Sequence, residues 1–98
     1  MAAYVISEVE VRDGEAMETY RTLAARSIAQ YGGHYLVRGG ATELAEGGPP
    51  LKTIIIVEFP SMALLHEWYA SNEYAEALEV RRTALERRLY FVEGMPPA

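Results

Sequence analysis

The sequence contains no cysteine and only two histidines. Without a thiol, the chain cannot form a disulfide, use a thiolate nucleophile, or hold a zinc–thiolate site or an iron–sulfur cluster. Its two histidines, His34 and His66, stand at unrelated spacing and give no metal-binding pattern. We therefore expect no metal and no cofactor. The lack of cysteine also fits a cytoplasmic protein, which is the compartment we predict.

Basic charge is scarce as well. The 98 residues include 9 Lys and Arg against 14 Asp and Glu, so the formal net charge is -5. This average field repels nucleic acid, and no basic stripe with interleaved aromatic residues offsets it. The longest apolar run, Ile54 to Val57, is far too short to span a bilayer. We expect neither nucleic acid nor a membrane as a partner.

Strand and helix patterns alternate along what we interpret as one domain over residues 1–98. Period-two alternation indicates strands, whereas apolar residues three and four positions apart indicate helices. The predicted elements are a strand over 4–11, a helix over 15–31, strands over 34–38 and 52–59, helices over 62–70 and 73–87, and a strand over 88–92. A short strand extension over 42–45 and a turn-rich loop over 46–50 are also expected.

Side chains that cap helices support these boundaries. Asp13, Ser61 and the Ser71-Asn72 pair each precede a predicted helix and can accept hydrogen bonds from its free N–H groups. Gly32-Gly33 can end the first helix, because glycine adopts the left-handed conformation of a C-cap. The order β-α-β-β-α-α-β predicts the α+β class and a ferredoxin-like fold, with a four-stranded antiparallel sheet.

The third strand predicts a dimer. The helices of this fold cover one face of the sheet, and the other face of a monomer would carry polar residues. Instead, Ile54 and Ile56 point to one face while Ile55 and Val57 point to the other. An uncovered second face would be an apolar patch that monomers rarely expose. We therefore predict a homodimer in which two sheets pair as a dimeric α/β barrel.

Arg81 is unusual because it lies on the apolar stripe that the last predicted helix forms with Tyr74, Leu78 and Leu85. A guanidinium facing a core needs an anion or complete hydrogen bonding. One interpretation is a structural ion pair with Glu58 or Glu8, or extension to the domain edge. The other is an anchor for a small anionic or carbonyl-bearing molecule. The sequence leaves both open.

Glu58 and His34 are the candidate catalytic residues. Glu58 ends an otherwise apolar strand, and a simple hairpin would bring it close to His34. A carboxylate beside an imidazole can form an acid–base pair, although either residue could equally serve a structural role. Arg38 shares strand parity with His34 and is a candidate for substrate binding, with a surface ion pair as the alternative.

Three aromatic residues lie near the break between the last two helices. Trp68, Tyr69 and Tyr74 could wall a pocket and offer hydroxyl or N–H donors, so we consider them candidates for substrate binding. Core packing is the alternative interpretation for all three.

Three segments together resemble a known family. The segments Tyr31–Gly40, Ile56–Ser61 and Trp68–Tyr74 are similar to successive blocks of domain-of-unknown-function family 1330 (DUF1330), and the resemblance covers nearly the whole chain. It implies the dimeric α/β barrel fold, whose superfamily includes small monooxygenases, isomerases and stress-induced proteins, several of them free of cofactors. Fold-level similarity does not transfer an activity. Arg38, Glu58, Trp68 and Tyr74 match the family blocks, whereas the position of His34 often holds another residue.

Two functions are compatible with these residues. The first is a dimer that binds a small anionic or carbonyl-bearing molecule between sheet and helices, extending to a cofactor-independent enzyme of monooxygenase or isomerase type. In that case Arg81 or Arg38 would hold the oxygen and Glu58 would act as the acid–base group. The second is a non-catalytic binding or structural module whose polar groups satisfy one another.

Overall fold

The computed structural model describes residues 1–49 and 52–96, so the end of the predicted 46–50 loop and the last two residues of the 1–98 domain lie outside the described residues. The elements are β1 (Ala3–Val11), α1 (Gly14–Gln30), β2 (His34–Arg38), β3 (Thr53–Phe59), α2 (Met62–Tyr69), α3 (Asn72–Ala84) and β4 (Leu85–Glu93). In these two ranges, no helix has the length and apolar character needed to cross a membrane.

The four strands form one antiparallel sheet in the order β2-β3-β1-β4. The two central strands, β1 and β3, are neighbours in space although α1 and β2 separate them along the chain. This order, with helices connecting strands on one face, is the ferredoxin-like arrangement, and the predicted α+β fold class is confirmed.

The helices pack on one face of the sheet, where alternate residues of β1 turn inward. Ala3, Val5 and Val9 are buried there together with Ser7. α1 contributes a buried stripe at three- and four-residue spacing, consisting of Met17, Tyr20, Ala24, Ser27 and Ile28. At one end of this core the ring of Trp68 lies 5.2 Å from Phe59 and 4.2 Å from Tyr74, measured between ring centroids.

The predicted caps are confirmed. The Asp13 carboxylate accepts hydrogen bonds from the N–H groups of Glu15 and Ala16, which begins α1. Ser61 Oγ accepts from the N–H of Leu64. Ser71 Oγ plays the same part in α3, where it accepts from the N–H of Tyr74. Each cap satisfies donors that the first turn of a helix leaves free.

The boundary between the last helix and the last strand was predicted wrongly. The helix ends at Ala84 rather than near residue 87, and β4 begins at Leu85. The reason is tertiary pairing, because β4 pairs with β1 over its whole length, from Val11 opposite Leu85 to Ala3 opposite Glu93. Helical periodicity through Leu85 is therefore overridden by the sheet. The extension expected over 42–45 is also wrong, since these residues form no strand.

The face of the sheet away from the helices carries an apolar row that crosses all four strands. Val37, Ile56, Ile6 and Tyr90 are successive Cα partners on β2, β3, β1 and β4. We call these four residues the outer row. All four are only partly buried. The dimer prediction depends on this surface.

Candidate functional site

A cavity lies between α1 and the inner face of the sheet. Its floor comes from all four strands, and Met17, Tyr20 and Ala24 of α1 form its roof. The empty space is about 530 Å³ when its open mouth is included, and about 40 Å³ of it is free to the centre of a water-sized atom. The enclosed part has room for only a small group of atoms, so a larger ligand would extend into the open mouth.

Arg87 binds two tyrosines beside this cavity. Its Nη1 donates a hydrogen bond to Tyr20 Oη at 2.7 Å, and its Nη2 donates to Tyr74 Oη at 2.9 Å. The two phenolic oxygens are themselves 2.6 Å apart. Alternation along β4 turns Arg87 toward the helices, so the three residues join the strand to α1 and α3.

Hydrogen-bond counting shows that one phenolic proton is left over in this group. Arg87 has no acceptor, so both tyrosine oxygens accept from it, and one tyrosine must donate to the other. Tyr74 is fully buried, whereas Tyr20 lines the cavity. Because Tyr20 lines the cavity and Tyr74 does not, donation from Tyr74 to Tyr20 would leave the Tyr20 proton free to point into the cavity.

Ser7 adds a second free hydroxyl. Its side chain is 4% exposed and lines the cavity from β1, the strand next to β4. Within the described residues, Ser7 Oγ has no hydrogen-bond partner. A buried hydroxyl without a partner costs about 1–3 kcal/mol, so this atom favours any ligand that supplies the missing hydrogen bond.

The electrostatic balance of the group is positive. None of the ion pairs found within residues 1–49 and 52–96 includes Arg87. Burial by itself would lower the pKa of Arg87, but the oxygens of Tyr20 and Tyr74 outweigh it, so the pKa stands above its ordinary value. The guanidinium is therefore charged. Burial raises the pKa of Tyr74, which keeps this phenol neutral.

The mouth of the cavity is also cationic. Arg21 of α1 and Arg38 of β2 line both the cavity and a more open groove that continues from it. Glu18 lies in the groove and pairs with Arg21. Arg38 instead lies over the ring of Tyr35, with 5.0 Å between the guanidinium carbon and the ring centroid. Arg38 therefore keeps its charge available at the mouth.

Three of the residues predicted to bind substrate lie at this site. Arg38 and Trp68 line the cavity, and Tyr74 belongs to its hydrogen-bond network. The indole N–H of Trp68 donates to Ser27 Oγ at 3.0 Å, which fixes the ring against α1. Sequence reasoning assigned these side chains to one pocket, and the fold brings them together.

The two predicted catalytic residues contact each other but do not line the cavity. His34 and Glu58 are Cα partners, and His34 Nε2 lies 3.0 Å from Glu58 Oε1, so their predicted proximity is confirmed. However, Glu58 alternates with Val57 and Phe59, which face the helices. The pair therefore lies on the outer face of the sheet, and the cavity receives no side chain from it.

The remaining two predicted residues lie elsewhere. Tyr69 is 38% exposed and packs its ring 5.3 Å from that of Phe91. Arg81 is only partly buried, and no ion pair in the described part of the chain joins it to Glu58 or Glu8. Glu58 pairs with His34, and Glu8 accepts from Tyr90. Arg81 does lie on the inward face of α3, between buried Ala77 and Ala84, but it is itself only partly buried.

Sequence reasoning missed Arg87, Tyr20 and Ser7 as a site. Arg87 was assigned to the end of a helix, and Tyr20 to an apolar stripe. The available signal was period-two alternation, which places Arg87 on one face with Leu85 and Leu89, and Ser7 among inward-facing valines. A single polar residue on an otherwise apolar strand face marks a buried polar group.

These features define a ferredoxin-like α+β domain with a largely apolar cavity between its sheet and its first helix, lined also by arginine and hydroxyl side chains. The chain belongs to the DUF1330 family, a domain of unknown function, whose sequence model matches residues 2–95. The search of curated proteins gave no match.

Solved structures agree with this fold. A protein of unknown function from Rhodopseudomonas palustris, RPA0582, is 21% identical with a TM-score of 0.79, covering 98% of this chain and 84% of that one. SnoaB, a cofactor-independent oxygenase from Streptomyces nogalater, is 8% identical with a TM-score of 0.66, covering 98% and 95%. A dimeric ferredoxin-like protein of unknown function from Bacteroides fragilis is 13% identical with a TM-score of 0.56, covering 95% and 96%.

Proposed function

We propose that this protein binds a small molecule through a carbonyl or oxyanion oxygen in the cavity between α1 and the sheet. One observation carries the proposal: Arg87 is partly buried, has no carboxylate partner among the described residues, and lines the cavity together with Tyr20 and with Ser7, whose buried hydroxyl has no partner there. Donors that converge in a poorly solvated cavity favour developing or resident negative charge on oxygen. The ligand's oxygen would complete the bonding of all three groups.

Binding is favoured over catalysis because the cavity offers no general base. Among the described residues that line it, none is a carboxylate or an imidazole. Glu18 lies in the adjoining groove but pairs with Arg21. The acid–base role of His34 and Glu58 stays a prediction, and their position on the outer face means that they cannot act on a molecule held by Arg87.

A cofactor-independent reaction is the catalytic extension of this proposal. SnoaB shares the fold and is a cofactor-independent oxygenase. Donors such as Tyr20 and Arg87 would stabilise the oxyanion of an enolate. A basic group of the substrate itself would have to accept the proton that the substrate loses. Loss of turnover, but not of binding, on removal of the Tyr20 hydroxyl would favour this extension.

A structural module is the second candidate function. The bonds of Arg87 to Tyr20 and Tyr74 already connect β4, α1 and α3, which is what a purely structural network would do. In that case Arg87 would contribute to stability alone. Ser7 argues against this candidate, because a closed structural network would have satisfied its hydroxyl.

We also propose that two copies pair through the outer faces of their sheets. The outer row of Val37, Ile56, Ile6 and Tyr90 is continuous across the sheet, and the helices leave it uncovered. A second copy would cover it with an identical row, as an isologous interface requires. The dimeric protein from Bacteroides fragilis has the same fold.

Binding can be tested with small carboxylates and their uncharged or cationic analogues. Benzoate, benzamide and benzylamine are titrated while the fluorescence of Trp68 is recorded, since it is the single tryptophan and lines the cavity. Benzoate is expected to bind most tightly and benzylamine not at all. Arg87→Gln should weaken benzoate binding about tenfold or more, as loss of a charge-assisted hydrogen bond does.

Two further variants make the result interpretable. Arg82→Gln is the matched control, because Arg82 is exposed on α3 and pairs with Glu79 three residues before it. Arg87→Lys keeps the charge and shows whether a folded protein with altered geometry still binds. Equal benzoate affinity in the wild type and in a folded Arg87→Gln variant would refute the proposed site. So would the failure of all three probes to bind the wild type.

A further inference from the structure

Arg87 and Arg38 approach the cavity from opposite edges of the sheet. Arg87 lies on β4 and Arg38 on β2, the two outer strands of the order β2-β3-β1-β4. Three interstrand spacings therefore separate them, about 14 Å between backbones. Both side chains nevertheless line the same cavity.

The register places Ser7 between the two arginines. Arg38, Ile55, Ser7 and Leu89 are successive Cα partners across the four strands, on the inner face. Arg87 stands two residues from Leu89 along β4. A molecule that extended from Arg87 toward Arg38 would therefore pass the free hydroxyl of Ser7 and lie on the side chains of Ile55 and Leu89.

The two cations differ in their surroundings. Arg87 is partly buried and bonded to two phenols, whereas Arg38 is exposed at the mouth. Arg21, the other cation there, is neutralised by Glu18. No ion pair within the described ranges includes Arg38. The open end of the cavity therefore carries one uncompensated positive charge.

From this arrangement we infer the class of ligand, which rests on the proposed function. The ligand is a small bifunctional acid, with a carbonyl or oxyanion oxygen at Arg87, Tyr20 and Ser7, an apolar body over the sheet, and a second, acidic group at Arg38. The apolar wall between the arginines, which includes Val57 and Ile55, would be matched by hydrocarbon. The two charges at the ends would set the ligand's orientation and length.

Paired acids of equal carbon number test this inference. Adipate, pimelate and suberate carry an acid at each end, whereas hexanoate, heptanoate and octanoate carry one acid and a methyl group. Affinities are measured by isothermal titration calorimetry for the wild type, Arg38→Gln and Arg87→Gln, with Arg82→Gln as the matched surface control. Circular dichroism verifies that each variant is folded.

We expect Arg38→Gln to weaken the best diacid about fivefold and to leave its monoacid partner unchanged, since an exposed charge contributes up to about 1 kcal/mol. Arg87→Gln should weaken both acids. Added salt should reduce the affinity of the diacid more than that of the monoacid.

The two levels of the proposal fail in different ways. If Arg87→Gln weakens both acids but Arg38→Gln affects neither, the second acidic group is refuted while the inner site stands. If neither acid depends on Arg87, or if no acid of either series binds, the proposed function fails and the inferred ligand class fails with it. If Arg38→Gln reduced the affinity for the diacid and for the monoacid equally, an orientation set by two acidic ends would also be refuted.

Discussion

Tyr20 and Tyr74 are 54 residues apart in the sequence, yet their hydroxyl oxygens lie 2.6 Å from each other. Their rings meet edge to face, with centroids 6.4 Å apart, and Arg87 donates to both oxygens. This contact holds α1 against α3 at the point where the cavity begins. It therefore contributes to stability and positions the Tyr20 hydroxyl for a ligand.

The first prediction concerns the stability of this network. Tyr74→Phe should lower the free energy of unfolding by about 1–3 kcal/mol, because one partly buried N–H of Arg87 loses its acceptor. Tyr69→Phe is the matched control, since Tyr69 is 38% exposed, and it should change stability by less than about 0.5 kcal/mol. Urea unfolding followed by Trp68 fluorescence gives both values. Equal effects of the two substitutions would contradict the assigned network.

A double-mutant cycle sharpens this measurement. Tyr20→Phe and Tyr74→Phe remove two hydroxyls that bond to each other and to Arg87. Their effects should therefore be non-additive, with a coupling of about 0.5–3 kcal/mol. Strict additivity would mean that the hydroxyls act independently.

The second prediction is a loss of stability at alkaline pH. Burial raises the pKa of Tyr74 above its ordinary value of 10.0, so the unfolded chain releases this proton at a lower pH than the folded protein does. The unfolded state then binds fewer protons, and stability falls as pH rises above 10.0. Below that pH the contribution is complete. Urea unfolding across this range should show a steeper decline for the wild type than for Tyr74→Phe, and parallel curves would be inconsistent with the shifted pKa.

The fold could be predicted because its signals are local. Asp13, Ser61 and Ser71 cap helices by bonding to N–H groups two or three residues away, and buried positions alternate along β1 within a few residues. Such local agreement among capping, periodicity and turns is what defines element order. The proximity of His34 and Glu58 followed from one hairpin.

The site could be predicted only in part because it depends on long-range pairing. Arg87 reaches the cavity because β4 begins at Leu85, and that start is imposed by pairing with β1 more than 70 residues earlier in the chain. Helical periodicity is visible locally, and it pointed to Arg81 rather than Arg87 as the arginine that faces the core. The face that Glu58 occupies depends on which side the helices cover, and a single strand does not contain that information.

The third prediction tests the close packing around Gly33, the residue just before β2. A Cβ added at Gly33 would lie 2.7 Å from Phe59 Cε1 and 2.8 Å from Ile28 Cγ2, so the core would have to shift. Gly33→Ala should therefore destabilise the protein by about 1–3 kcal/mol. Gly40→Ala, where a Cβ meets nothing within 4 Å, is the control and should be neutral or slightly stabilising. Thermal unfolding compares the two, and a Gly33→Ala variant as stable as Gly40→Ala would show that this packing is loose.

The fourth prediction concerns the outer face of the sheet. Ile56 lies within the outer row, between Val37 and Ile6 as Cα partners. In the proposed dimer, Ile56→Glu would place an unpaired charge in an apolar interface, which costs about 3–5 kcal/mol and weakens association about a hundredfold or more. Sedimentation velocity at micromolar concentration should show a dimer for the wild type and a monomer for Ile56→Glu.

Thr22→Glu, on the exposed surface of α1, adds the same charge away from the sheet and should remain dimeric. Because the cavity lies on the opposite face of the sheet from Ile56, a folded Ile56→Glu monomer should retain the fluorescence of buried Trp68 and bind benzoate through Arg87. A wild type that sediments as a stable monomer would rule out pairing through the outer row. A dimeric Ile56→Glu variant would place the interface on another surface, since this face could not then be the one that two copies bury.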